Sequence, residues 1–322
     1  MKKIGVFTSG GDAPGMNAAI RAVVRTCVYH KIESYGIYEG YKGLINGNIK
    51  KIESSGVSNI IQRGGTILKS SRSEEFKTVE GREKAFENIQ KFGLDGIVAI
   101  GGDGTFTGAK IFNQEFNIPF VGIPGTIDND LFGTDFAIGY DTAINTVVEA
   151  VDKIRDTASS HNRLFLVEVM GKDAGFIALR SGIGVGAEAI LIPENQTYVN
   201  ELITNLENNS RKHKESMIVI VAEGDEFGAY EIAKLVKEKC PQYDSRVTIL
   251  GHIQRGGSPS AMDRVLASRL GNAAVNALLN KKTNVMIGIV NKEIVFTPFE
   301  KAIKHHVKIN MELINLAEIL SC

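Results

Sequence analysis

The chain has 322 residues, 43% hydrophobic and 23% charged, and its 37 Lys+Arg balance 37 Asp+Glu. That composition excludes a disordered tail protein and a collagen-like repeat. Zero net charge argues against sequence-independent nucleic-acid binding, which needs a basic face for the phosphates.

The predicted elements alternate in chain order: strand 4–7, helix 18–29, strands 96–100 and 119–123, helix 142–157, strands 164–169 and 189–192. Helix 199–209, strand 217–222, helix 230–239, strand 247–250, helix 261–279 and strand 285–290 complete the series. Continuous apolar runs suit strands buried on both faces of a parallel sheet, and the longer segments carry apolar residues at helical spacing. Strand, loop and helix repeated this way predict a doubly wound α/β fold. Length predicts two domains, since single cores stop growing near about 250 residues. The best divide lies at 138–141, with no low-complexity linker and no short-period repeat. Cys27, Cys240 and Cys322 are odd in number and far apart, as expected of reduced thiols in a cytoplasm. No apolar run suggests a signal peptide or a membrane span, so a soluble cytoplasmic protein without nucleic-acid or membrane partners is expected.

Glycine is frequent, 34 residues beside 7 prolines, and it concentrates in the loops that follow the predicted strands. Ligands of open parallel sheets bind there. The first loop, Thr8-Ser9-Gly10-Gly11-Asp12-Ala13-Pro14-Gly15, leads into a helix, where glycine amides approach a phosphate unhindered. It matches neither a Walker loop nor GxGxxG, and the bland alternative is a tight turn. The second, Gly101-Gly102-Asp103-Gly104-Thr105-Phe106-Thr107-Gly108, offers a carboxylate for Mg²⁺ among amides for a polyphosphate; Asp103 as a helix cap is the alternative. The third, Pro124-Gly125-Thr126-Ile127-Asp128-Asn129-Asp130, sets two carboxylates beside a hydroxyl, suited to orienting and deprotonating an alcohol or to capping a turn. A cationic group follows: Arg63-Gly64-Gly65-Thr66, Arg72, Arg163, Arg246, and Gly251-His252-Ile253-Gln254-Arg255-Gly256-Gly257. Each arginine taken alone is more often a solvated surface residue, but arginines beside glycine turns at strand ends suit anion binding.

With these strings in order, together with AVDKIRDTASSH and VEVMG, the chain resembles the ATP-dependent 6-phosphofructokinases of bacterial type, from Ile4 to about Leu279. The resemblance implies two doubly wound, Rossmann-like three-layer α/β/α domains with the active site in the cleft between them. Residues 1–139 with about 254–306 would form the larger, ATP-binding domain; 140–253 with about 307–322 the smaller, fructose 6-phosphate-binding one. It implies a glycolytic kinase that transfers the ATP γ-phosphoryl group, with Mg²⁺, to the 1-hydroxyl of fructose 6-phosphate. Asp128 matches the proton acceptor and Thr126 its neighbour at the transferring phosphoryl group, beside Asp130, the second carboxylate of that loop; Gly11 and Arg72 match the groups on the migrating phosphoryl, and Asp103 the magnesium position. Tyr41, Ser73, Gly102, Gly104, Thr105 and Gly108 match the ATP site. Met170, Gly171, Lys172, Glu223, Arg246, His252 and Arg255 match the sugar-phosphate site, with Lys172 standing where the pattern usually has arginine. Arg163 matches an arginine reaching a neighbouring subunit, so a homotetramer is implied. An allosteric site for ADP or GDP and phosphoenolpyruvate would draw on Arg21, Arg25, Arg155, Gly186, Glu188, Lys212 and Lys214. Ser54, Asn59 and Ser216 replace its usual arginine, aspartate and histidine.

Gly104 and Gly125 stand where pyrophosphate-dependent relatives carry aspartate and lysine, which favours ATP as donor. The competing readings are a pyrophosphate-dependent enzyme, a kinase acting on NAD or a lipid, and a catalytically silent nucleotide sensor. The GTIDND and GHIQRGGSP strings argue against the second. Intact Asp103, Asp128 and Arg72 argue against the third.

Overall fold

The computed structural model describes residues 1–159, 163–194, 198–207, 217–303 and 307–320. From the N-terminus come β1 (Lys3–Thr8), α1 (Met16–Tyr29), β2 (Glu33–Ile37), α2 (Gly40–Asn46), β3 (Ile49–Lys51), α3 (Val79–Phe92), β4 (Gly96–Gly101), α4 (Asp103–Phe116) and β5 (Phe120–Pro124). The chain continues through α5 (Tyr140–Ser159), β6 (Arg163–Val169), α6 (Phe176–Gly184), β7 (Ala189–Leu191), α7 (Tyr198–Glu207), β8 (Met217–Ala222), α8 (Gly228–Lys239) and β9 (Asp244–Ile249). It ends with α9 (Ala261–Leu279), β10 (Val285–Val290), β11 (Glu293–Pro298), α10 (Phe299–Ala302) and α11 (Met311–Leu320). Two compact units result: Met1–Thr142 with Arg255–Val307, and Ala143–Gln254 with Lys308–Cys322.

The first unit holds a sheet of order β11-β10-β5-β4-β1-β2-β3. Its interior pairs are parallel, as apolar runs buried on both faces require. Both edges are antiparallel, which the sequence pattern did not reveal. At one edge Asn291 and Lys292 both adopt positive φ, 50° and 71°, the conformation of a tight hairpin that returns β11 along β10. Against this sheet packs an aromatic cluster in which Tyr41 stacks on Phe76 at 4.0 Å and Phe76 on Phe112 at 5.5 Å.

In the second unit the order is β7-β8-β6-β9, with every pair parallel. Leu164, Leu166, Val219, Val221, Ile232 and Val236 are among its core residues. The predicted strand 247–250 begins earlier, because Asp244, Ser245 and Arg246 pair in register with Arg163, Leu164 and Phe165. Predicted helix 199–209 corresponds to α7, and positions 208–209 lie outside the described residues. Cys27 and Cys240 are buried free thiols, and burial pushes Cys27 up to about 12; Cys322 lies outside the described residues. No described helix is long and apolar enough to cross a membrane.

Candidate active site

In the first unit β1 sits between β2 and β4, so successive connections leave it in opposite directions and the loops after β1 and β4 part at a topological switch point. There the backbones touch: Ser9 N donates to Ile100 O at 3.0 Å and Gly125 N to Gly101 O at 3.0 Å. A Cβ on Gly101 would strike Ser9 O and the Thr105 hydroxyl, so only glycine permits this approach. Helix α1 starts at Gly15 (φ 109°) and α4 at Gly102, and neither start is capped by its own side chain. Two helix N-termini with uncapped amides thus open from neighbouring strands, a setting for anions. Asp103 is the first residue of α4, not its cap, and is half-buried.

The glycines here differ in purpose. A Cβ on Gly104 would meet nothing within 4 Å, whereas one on Gly125 would stand 3.0 Å from Ile100 Cγ2 and 3.2 Å from Met16 Cε. Gly104 therefore faces open space and Gly125 faces the core. Gly108 is covered by the Tyr41 ring. Tyr41 is only 6% exposed and donates its hydroxyl to Thr105 O at 2.5 Å, and burial raises its pKa well above the ordinary value. It supports α4 from behind instead of presenting a ring face to a ligand.

Thr126 and Asp128 are buried after β5, with Asp128 N donating to Thr126 Oγ1 at 3.2 Å; Asp130 is half-buried. Thr126 lies beside Gly102, joining the second and third loops. Asn129, which sequence reasoning passed over, braces this turn: at φ 56° its Nδ2 donates to Asp135 O at 3.1 Å and its Oδ1 accepts from Ala137 N at 2.6 Å. Asn is suited to that left-handed position, a signal available in the sequence.

The 63–73 loop closes on the same strand ends. Asn17, also missed, donates to Arg63 O at 3.0 Å and Gly64 O at 3.2 Å and accepts from Ile67 N at 2.8 Å. Thr8 Oγ1 donates to Lys69 O at 2.9 Å, and Ser70 Oγ to Gly10 O at 2.8 Å. Arg72 is exposed, and Ser73 Oγ accepts from Phe76 N at 3.3 Å. Arg255 lies over Gly11 and donates to Asp12 O at 3.3 Å. Behind them Asp263, fully buried, accepts from Gly139 N at 2.8 Å, Thr142 N at 2.8 Å and Thr142 Oγ1 at 2.5 Å. Burial raises its pKa against the opposing pull of these donors.

In the second unit the residues after β6, β8 and β9 form one connected group. Glu223 Oε1 accepts from Gly171 N at 3.2 Å and from Lys172 N at 2.7 Å. Gln254 Oε1 accepts from Met170 N at 2.9 Å. Lys172 is exposed at φ 56°, its Nζ 3.5 Å from Asp173, and His252 is exposed on the 3₁₀ turn Gly251–Arg255. Arg246 does not join them. In this parallel sheet it pairs with Phe165, two residues along from Arg163 and about 17 Å of strand from Met170. There Arg163 and Arg246 each donate to Asp244 Oδ2 at 3.0 Å, and the Arg163 hydrogen bond leads in holding that carboxyl below its ordinary value. Arg246, which the resemblance matches to the sugar-phosphate site, is thus paired with Asp244 in this chain.

Of the effector residues, Arg21 and Arg25 lie on α1, and Ser54 and Asn59 also belong to the first unit. Arg155 Nη2 donates to Val185 O at 2.5 Å and reaches Gly186 O at 3.5 Å. Glu188 is turned inward and accepts from Ile218 N at 2.5 Å, so its carboxylate serves the fold at this point. Lys212, Lys214 and Ser216 lie outside the described residues.

No cluster of three metal-ligating side chains occurs among the described residues, which is unlike an all-protein metal cage. Mg²⁺ keeps several waters and binds through one or two carboxylates plus substrate phosphates. Asp103, at a strand end beside the open Gly104, is a donor of that kind.

A family profile described as phosphofructokinase matches residues 3–278. The chain is 60% identical over 322 residues to ATP-dependent 6-phosphofructokinase of Cytophaga hutchinsonii, covering 100% of this chain and 98% of the relative. It is 59% identical over 322 residues to ATP-dependent 6-phosphofructokinase 2 of Bacteroides thetaiotaomicron, covering 100% and 99%. Among solved structures it is similar to phosphofructokinase from Pichia pastoris in the T-state, with TM-score 0.89 and 36% identity over 99% of this chain. It spans only 36% of that longer chain.

Proposed function

Because the chain belongs to the phosphofructokinase family, we propose that it is an ATP-dependent 6-phosphofructokinase. It converts D-fructose 6-phosphate and ATP to fructose 1,6-bisphosphate and ADP. The observation that carries this reading is the convergence, at the carboxyl ends of β1, β4 and β5, of two uncapped helix N-termini with Asp103, Thr126 and Asp128.

The first unit holds the phosphoryl donor. Amides of Gly11, Gly102 and Gly104 face the polyphosphate, Thr105 and Gly108 lie on α4 behind them, and Arg72 neutralises charge developing on the transferred group. Asp128 orients the 1-hydroxyl and accepts its proton as the new O–P bond forms and the bond to ADP breaks; Thr126 and Asp130 support that carboxylate. Asp103 would hold Mg²⁺, which would supply positive charge to offset that of the phosphates. The second unit holds the sugar phosphate, with His252 and Lys172 facing the anion and Glu223 accepting from a sugar hydroxyl; Arg255 is a further cation that the resemblance assigns to the sugar phosphate.

The position of Arg246 supports an assembly. It shares Asp244 with Arg163 at the sheet end away from Met170, so both arginines serve a neighbouring copy's site, consistent with a homotetramer. Regulation by ADP or GDP and phosphoenolpyruvate is proposed only for Arg21, Arg25, Arg155 and the lysines. Serine at 54 and 216 and asparagine at 59 leave a weakened diphosphate site. The purified enzyme, assayed for ADP and fructose 1,6-bisphosphate formation, tests the reading, and velocity with added ADP or phosphoenolpyruvate at subsaturating sugar phosphate tests the regulation.

A further inference from the structure

Three consecutive backbone amides after β6, those of Met170, Gly171 and Lys172, are held by side chains from two different loops. Glu223 holds two of them and Gln254 the third. Gln254 sits between His252 and Arg255 on the 3₁₀ turn, so its hydrogen bond ties that turn to the Met170–Lys172 loop. The side chain is 0% exposed, yet its Nε2 has no hydrogen-bond partner among the described residues. A buried donor left unsatisfied is costly, and an apolar side chain of the same size would fill the space without that cost. What only an acceptor supplies here is the bond to Met170 N.

We propose that Gln254 is a positioning residue for sugar-phosphate binding: it fixes the Met170–Lys172 loop relative to the His252 turn, acting in concert with Glu223. The proposal rests on the second unit being the sugar-phosphate holder.

The test compares full-length wild type with Gln254→Leu and Gln254→Glu, the latter retaining an acceptor oxygen. Gln254→Leu is expected to raise KM for fructose 6-phosphate about fivefold to tenfold, the equivalent of one net hydrogen bond, with kcat and KM for ATP within about twofold. Gln254→Glu keeps the acceptor for Met170 N, so amide exchange at 170–172 is expected to stay within about twofold of wild type in that variant. Because both residues act through one loop, the fold-changes of Gln254→Leu and Glu223→Leu, each of which removes an acceptor from that loop, should combine to less than their product. Amide hydrogen exchange across residues 170–172, read without substrate, should accelerate in Gln254→Leu. That readout holds whatever the enzyme's substrate proves to be, so failure of the functional reading and failure of this proposal are distinguishable. Unchanged exchange at 170–172, or an unchanged KM in an active enzyme, overturns the positioning role. If Gln254→Leu does not fold, Gln254→Met, which also lacks an acceptor, is read against the same outcomes.

Discussion

The guanidinium of Arg255 lies directly over the α-carbon of Gly11, so that a Cβ at position 11 would occupy the same space, and Arg255 donates to Asp12 O at 3.3 Å. Glycine at 11 therefore does two things: it bares an amide toward the ligand loop and makes room for a cation. Gly11→Ala should fold normally, since the tip of a long side chain can yield, but it displaces Arg255 from this place. We expect kcat/KM to fall about a hundredfold, the scale of losing one preorganised donor, with Tm nearly unchanged. Steady-state kinetics beside a melting curve checks this.

Asp128 is buried beside Thr126, and Asn129 locks the turn that carries it. Asp128→Asn keeps the shape and removes the proton acceptor. Turnover should drop about 10²- to 10⁴-fold, the usual contribution of a positioned base, while calorimetry still detects fructose 6-phosphate binding. Near-normal turnover in the Asn variant contradicts the assignment.

Gly104 and Gly125 separate under substitution. Gly104→Asp places a carboxylate in open space, so the protein should keep its Tm and lose ATP affinity. Gly125→Ala forces a methyl against Ile100 and Met16, at 3.0 and 3.2 Å, and should cost about 1–3 kcal/mol in urea unfolding. Equal losses of stability in both would remove the distinction.

Asp263 ties the start of α5 to α9 from a fully buried position. Burial raises its pKa above the ordinary 3.8, so its titration favours folding fully below 3.8, and this contribution is lost as pH rises through the raised folded value. In that window wild type should lose stability relative to Asp263→Asn, which does not titrate. Asp263→Ala should cost about 2–4 kcal/mol at neutral pH, because the amides of Gly139 and Thr142 lose their acceptor. Urea unfolding across a pH series measures both.

The parallel core and the glycine loops were legible in the sequence because their signals are local: a short apolar run, then a turn that only glycine permits, then helical spacing. The braces were not. Asn17 finds Arg63 across 46 positions, and Asp263 finds Gly139 across 124, so neither partner is visible from the neighbouring residues. Strand β11 escaped because it is a half-exposed edge whose apolar run, Ile294-Val295-Phe296, is only three residues long, and its hairpin turn is Asn291-Lys292 without glycine. Arg246 was grouped with His252 by proximity in sequence. Strand β9 begins at Asp244, so Arg246 stands on the strand itself and pairs with Asp244, before the loop that carries His252.

The most direct measurement of the central claim is product formation by the purified protein with fructose 6-phosphate and Mg²⁺, given either ATP or pyrophosphate. The account predicts ADP and fructose 1,6-bisphosphate in equal amounts from ATP, with little product from pyrophosphate. No sugar bisphosphate from ATP, or comparable rates with pyrophosphate, would contradict it.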